Sequence, residues 1–575
     1  MFRMDERQGV RVVRSCQSHG TLRGMASTGR RLHLGWMVGL ILCGVALSGS
    51  VMGQELPEMA AEVTPASQAA PVADTAAVPD DIPAMPSIVD EMLAKPWSPA
   101  PDAANTDRRL VFDTLRDQWW PILSEMQQLQ KEYRQPTTAV DRQDVIRQRF
   151  AELSEQAKKV MPDLARAALE AYCQDRKKSD DLFPLIASYI LDGVQNGRLE
   201  ESLRYCQRLI DTDENNPMPA ALAAVIAARL GDAAKAKEYL VVTEEKSVAF
   251  NAEQKIAAES AADGTNSDGT EAANTVDSQG FVPSDFLYNY LQMACSNDDY
   301  EVAYELAKLL ISVDYQGEWF PAFAGYAAYC VNDFDMAEEQ LKKAQENKWL
   351  APRGGDDVIA RARQALSSQN PDGSKRTLAD SRKEWEAEAA IRASQQAAGE
   401  ADPEKLLPRV KLYTSKGEVV VELFEEEAPI AVANFLTLVE NGFYTEVPFH
   451  RVLPGFMAQG GDPTGTGGGG PGYVIRSEFT RPDARKHFRG TLSMARTNQP
   501  DTEGSQFFLC FVPAKFLDGN YTAFGRVVEG MDVLAKIQKM DPDRPEPDVL
   551  PDEIRKAEVL RKRNHPYTFE KLNDR

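Results

Sequence analysis

Apolar positions along this chain follow two periods. Between Leu110 and about residue 370 they recur at three- and four-residue steps, as in Ile146, Phe150, Leu153, Ala157, Val160 and Leu164. That spacing puts one apolar stripe on a helix. From Val410 the alternation shortens to two residues. Val410–Thr414 and Glu418–Phe424 flank Ser415-Lys416-Gly417, which predicts a β-hairpin. Pro429 then opens a helix whose stripe is Val432, Phe435, Leu436 and Val439, stopped by Asn441-Gly442. A second short helix is expected near Met531–Lys539.

Four stretches fall outside both periods. Residues 54–105 are rich in Ala, Pro and acids, bury too little apolar area to offset chain entropy, and read as a disordered spacer. Residues 251–284 hold few large apolar side chains and read as a loop inserted into the helical region. Residues 371–407 alternate charge with Ala and Gln, a helix polar nearly all round that serves as a solvated linker. Ahead of all these, Arg30 and Arg31 precede the uncharged run Leu34–Ser48, followed by small residues at Ser50 and Gly53. This is the layout of a secretory signal peptide over 1–53, so the protein is expected to be exported, periplasmic or secreted. An uncleaved membrane anchor would normally need about 20 apolar residues.

Within the helical region a 34-residue self-similarity occurs twice. Gly197–Ser202 aligns with Gly231–Ala236, and Asp299–Ala303 with Asp333–Ala337. A helix pair of that period resembles a degenerate tetratricopeptide repeat, its first-helix Trp and Tyr positions being unfilled. The resemblance implies stacked helix pairs over 106–370 whose concave face holds a peptide or protein partner.

The chemistry lies farther on, in Phe449–Asp462, a Gly-rich loop, Gly490–Ala495, Gly504–Leu509, Phe516–Gly519 and Tyr521–Val528. In this order and spacing the segment resembles a cyclophilin, a peptidyl-prolyl cis–trans isomerase, over residues 408–565, leaving 566–575 as a tail. The implied fold class is multidomain: an all-α helical-repeat region followed by a mainly β, closed, eight-stranded antiparallel barrel with two capping helices. No cofactor and no metal belong to this chemistry. By the resemblance Arg451 is the catalytic donor, and Gln459 and Gln506 hydrogen-bond the substrate backbone and orient Arg451. Phe456, Met457, Phe508 and Leu517 make the proline slot. Ala495 and Arg496 line the groove beside the preceding residue, and His450 turns to the opposite face in a structural role. Phe516 stands where many relatives carry Trp, so weak cyclosporin binding is expected. Tyr521 stands where His is common, and Arg496 where Asn is usual.

The reaction needs little else. Amide resonance sets a barrier of roughly 18–20 kcal/mol to rotation, while the two X–Pro isomers differ by only about 0.5–1 kcal/mol. A catalyst therefore needs an apolar seat for the pyrrolidine ring and a fixed donor that favours the twisted amide. The alternative is a proline-loop scaffold in which the groove mainly recognises its ligand.

Composition narrows the field. With 43% hydrophobic residues among 575, wholesale disorder is excluded. The net charge of −22 divides unevenly: residues 1–53 carry seven Arg against Asp5 and Glu6, residues 405–575 are near neutral, and the middle is strongly acidic. Nucleic-acid binding is not expected. Gly465, Gly467 and Gly470 fit G-x-G-x-x-G, but Pro471-Gly472-Tyr473-Val474-Ile475 follows rather than a helix start, so nucleotide binding is rejected and the loop is read as a flexible groove edge. Proline-containing polypeptides are the expected partners. Five cysteines would remain after signal removal, an odd number, and no disulfide is predicted.

Overall fold

A computed structural model describes residues 107–133, 140–263, 280–351, 357–369, 375–544, 549 and 551–572. The expected signal peptide and spacer lie outside the described residues. The described residues divide into two compact units, with the boundary between Asp192 and Gly193. In the first, α1 (Arg108–Tyr133) packs on α2 (Val140–Gln174). Phe112, Trp119 and Met126 of α1 are buried, as are Ile146, Leu153, Ala157 and Leu164 of α2, the stripe that the spacing predicts.

The second unit opens with helices α3 (Leu199–Thr212), α4 (Met218–Arg229), α5 (Ala233–Asp263), α6 (Pro283–Ser296), α7 (Tyr300–Ser312), α8 (Phe320–Cys330), α9 (Phe334–Glu346) and α10 (Asp357–Leu366). α4 is buried from Pro219 to Ala228, and α8 is almost wholly buried. Both read apolar all round, as an inner helix must. The 34-residue pairing has a conformational basis. Gly197, Gly231, Asp298 and Asn332 all have positive φ (81°, 74°, 64° and 68°), each two residues before a helix starts. Left-handed residues of this kind end one helix and turn the chain into the next.

Two expectations for this region need correction. The insertion is not loop from its start: α5 runs through Asn251 to Asp263, and Pro283 already begins α6. Residues 251–263 are mainly Ala, Glu, Lys and Gln, strong helix formers that need no apolar stripe to extend a helix. Nor is the linker a solvated connector. After a short hairpin, β1 (Ser367–Gln369) with β2 (Lys375–Thr377), helix α11 (Leu378–Ala401) starts from a capping box between Thr377 and Asp380. It buries Leu378, Ser381, Glu388 and Gly399, and Trp385 meets Phe488 edge-on at 5.1 Å. Glu384 and Glu388 read as solvent-facing in sequence but pair with Lys515 and Arg485 of the following domain, and Arg382 pairs back to Glu338 of α9.

That domain is one antiparallel sheet of nine strands: β3 (Arg409–Thr414), β4 (Gly417–Leu423), β5 (Val447–Pro448), β6 (Arg451–Leu453), β7 (Met457–Gly460), β8 (Thr491–Met494), β9 (Phe507–Cys510), β10 (Ala523–Glu529) and β11 (Glu553–Arg561). The order is β5-β11-β3-β4-β10-β8-β9-β7-β6. The two edges, β5 and β6, are separated along the chain only by Phe449 and His450, so the sheet must curl round to bring them together. They do not pair with each other. The architecture is thus a curled, incompletely bonded barrel rather than a closed one, and two-residue β5 makes nine strands instead of eight. The helices are α12 (Pro429–Glu440) and α13 (Met531–Lys536). The expected tail also belongs to the domain: Leu572 exchanges backbone hydrogen bonds with Val474, and the Tyr567 hydroxyl donates to Glu425 at 3.0 Å.

Candidate active site

Strand register gathers the site. Arg451 pairs with Gln459, Gln459 with Phe508, and Phe508 with Ser493. A second row sets Leu453 beside Met457 and Met457 beside Cys510. Directly paired residues share a sheet face and successive residues alternate. Arg451, Leu453, Met457, Gln459, Phe508 and Cys510 therefore stand on one face, while Val452, Ala458, Phe507 and Leu509 fill the core on the other, each fully buried.

The first face carries a compact apolar cluster of Met457, Phe508, Cys510, Ala514 and Leu517, with Leu453, Phe456, Ala495 and Tyr521 half-buried against it. This brings together the residues expected to seat proline. Phe456 and Phe516 lie with ring centroids 5.4 Å apart, Phe516 being 62% exposed, an unusual state for a large apolar ring. Tyr521 meets Phe508 edge-on at 5.8 Å.

The guanidinium carbon of Arg451 lies 6.0 Å from the centre of the Phe456 ring. Other arginines of the barrel are spoken for: Arg409 and Arg526 by Glu422, Arg485 by Glu388, Arg563 by Glu426. Among the described residues the Arg451 side chain has neither ion pair nor hydrogen bond, so its donors remain available to a ligand. Gln459 Nε2 donates to Gln506 Oε1 at 3.0 Å, and Gln506 Nε2 donates to the carbonyls of Gly467 and Gly469, both at 2.9 Å. Gln506 thus spends its amide on the loop and on Gln459. Arg496 also turns away from the groove: Nε donates to Asn520 O at 2.7 Å, and the guanidinium stacks over Tyr521 at 4.8 Å.

The Gly-rich loop is not a flexible edge. Asp462, fully buried, accepts from the backbone N–H of Thr464 (2.7 Å), Gly467 (2.7 Å) and Gly469 (3.0 Å). Burial opposes its charge, but these bonds outweigh it and hold the carboxyl below its usual range. Three amides tied to one carboxylate leave the loop little freedom. Burial pushes the His450 imidazole below its ordinary value, and neither ring nitrogen has a hydrogen-bond partner among the described residues.

His487 escaped the sequence reading. It is fully buried, its ring stacked under Phe508 at 6.1 Å, with Nδ1 2.9 Å from Asp518 Oδ1 and Nε2 3.0 Å from Ser493 Oγ. It ties the floor of the cluster to the residue after Leu517. A lone histidine in a charged stretch, Arg485-Lys486-His487, gave no signal of this. Lys515 was missed too: burial pushes its amine down to about 8, and it lies 3.3 Å from Glu384.

The family model for cyclophilin type peptidyl-prolyl cis-trans isomerase matches residues 409–559. A peptidyl-prolyl cis-trans isomerase of Helicobacter pylori is 52% identical over 132 residues, 23% of this chain and 80% of that one. The isomerase ppi1 of Schizosaccharomyces pombe is 41% identical over 157 residues, 27% of this chain and all of that one. A crystal structure of a cyclophilin type isomerase from Cryptosporidium parvum is 34% identical, covering 27% of this chain and 99% of that one, with a TM-score of 0.26. The chain belongs to the cyclophilin-type peptidyl-prolyl cis–trans isomerases. It is an isomerase, with a helical region preceding its curled barrel.

Proposed function

We propose that this is an exported isomerase that speeds rotation about X–Pro bonds in client proteins, with Arg451 as the catalytic donor. The observation that carries this reading is an arginine side chain without a protein partner, set beside an apolar cluster whose outer members are only partly buried. A twisting imide loses its resonance, and the nitrogen regains a lone pair that can accept a hydrogen bond. A fixed guanidinium aimed there favours the twisted form over either planar one. Phe456, Met457, Phe508 and Leu517 seat the ring, Ala495, Phe516 and Tyr521 extend the groove, and Gln459 binds the substrate backbone. Gln506 orients Gln459, and Arg496 braces the wall at Tyr521. With Phe516 offering one ring where Trp offers two, cyclosporin binding is weak.

Isomerisation of a short X–Pro peptide tests the assignment. Arg451→Ala should lower kcat/KM by about 10²–10³-fold, the scale for removing one oriented donor. Equal rates in the two proteins would remove it. The resemblance to helical repeats supports a client-holding role for residues 106–370: an unfolded polypeptide substrate should then show a KM well below that of the short peptide, and equal values refute it. Export is supported by Arg30, Arg31 and the apolar run to Ser48. N-terminal sequencing of protein from the producing cell should begin beyond that run.

A further inference from the structure

The groove is not supported by the barrel alone. Asp298, in the left-handed turn between α6 and α7, is fully excluded from solvent. Its Oδ1 accepts the backbone N–H of Gly455 at 2.7 Å across 157 residues of sequence. Gly455 lies in the turn between β6 and β7, immediately before Phe456. The preceding carbonyl, of Pro454, accepts from Arg361 of α10 at 3.3 Å. Donor and acceptor of the turn are therefore both held by helices. Asp298 Oδ2 lies 2.9 Å from Lys539 Nζ, and the next residue, Met540, exchanges backbone hydrogen bonds with Val452, the neighbour of Arg451. On the opposite wall Glu384 of α11 pairs with Lys515, which directly precedes Phe516 and Leu517. Both aromatic walls thus sit one residue from a group anchored in the helical region.

We propose that the helical region is a working part of the isomerase site, with Asp298 and Glu384 as positioning residues that set the spacing of the Phe456 and Phe516 walls. The physical reason is that a short hairpin turn offers one N–H and one C=O to fix it. Left to water these bonds exchange freely, whereas a buried carboxylate makes a charge-assisted bond with little freedom. Neither residue touches the substrate. Each acts through the backbone next to a ring that does.

This inference rests on the groove assignment, and the test separates the two. Full-length Asp298→Ala, Asp298→Asn and Glu384→Ala are assayed on a short Ala–Pro peptide beside Arg451→Ala. Both Asp298 variants lose the pair with Lys539, but Asn can still accept from Gly455 and tolerates the left-handed backbone. The expected result is a kcat/KM about tenfold lower in Asp298→Ala, mostly through KM, with Asp298→Asn close to wild type, since small misplacements of a binding wall carry such costs. Glu384→Ala should also raise KM while circular dichroism reports an intact fold, and it decides the matter should Asp298→Ala fail to fold. Wild-type KM in folded Asp298→Ala or in Glu384→Ala, or equal impairment of the Asn and Ala variants, overturns the proposal while leaving the groove assignment standing. Wild-type rates in Arg451→Ala would instead remove the groove assignment.

Discussion

Arg451 and Gln459 stand opposite each other in the register of antiparallel β6 and β7, and Gln459 passes a hydrogen bond on to Gln506 at 3.0 Å. The arginine itself is bonded to nothing else among the described residues, so its position comes from strand pairing and from the ring of Phe456 beneath it. A donor fixed by its backbone keeps its hydrogen-bonding capacity for the ligand.

Gln506 joins that row to the Gly-rich loop. Gln506→Leu keeps the volume and loses the bonds to Gly467, Gly469 and Gln459. Only the bond to Gln459 reaches the row that holds Arg451, and at about 1 kcal/mol for one net hydrogen bond kcat/KM on an X–Pro peptide should fall about fivefold. An unchanged value would show that Gln459 keeps its place unaided.

Gly455 is required for its backbone. Its φ is 67°, and an added Cβ would run into the guanidinium of Arg361. Gly455→Ala should lose about 1–2 kcal/mol from the left-handed conformation alone, with more from displacing Arg361. The urea midpoint measures this.

Glu503 gives a signed pH dependence. Burial raises its carboxyl from an ordinary value near 4.5 to about 8, while Thr522 donates to Oε1 at 2.7 Å. Between those values the unfolded chain has released the proton and the native one keeps it, so this group makes stability fall as pH rises from 4.5 to 8. Its favourable contribution is complete below 4.5 and lost by about 8. Glu503→Gln keeps the acceptor and removes the titration. Its stability relative to wild type should therefore climb across this window, by at most roughly 1.4 kcal/mol per pH unit. A constant difference in denaturation midpoint would contradict the assignment.

Arg485 should be costly to remove. It bonds Glu388 of α11 at 2.6 and 2.8 Å and Glu427 at 2.9 Å, and its side chain is 1% exposed. Arg485→Met leaves buried Glu427 without an ion pair and Glu388 with Arg392 alone, and should cost about 3 kcal/mol. Adding Glu388→Leu should recover part of that loss, and thermal unfolding of the single and double variants tests it.

Much of the barrel was readable in advance. The β3–β4 hairpin turns where Ser415-Lys416-Gly417 predicts, and α12 begins at Pro429 and stops before Asn441-Gly442. These follow from local rules, a period, a turn residue, a cap, that act over a few neighbours. His487, Asp298 and Lys515 were not readable in this way. Each matters through a partner 31, 157 or 131 positions away, Asp518, Gly455 or Glu384.

The sequence alone thus determined where helices give way to strands, because the period of the apolar positions assigns each residue to a face before any packing occurs; the groove residues came from the family resemblance. Tertiary structure decided that α11 is a docked strap rather than a free linker, that Asp462 ties down the Gly-rich loop, and that Arg451 is left unpaired while other arginines find carboxylates. Those outcomes depend on which charges meet once water is excluded. Burial makes an unmet charge expensive and a met one rigid, and neither condition exists in the extended chain.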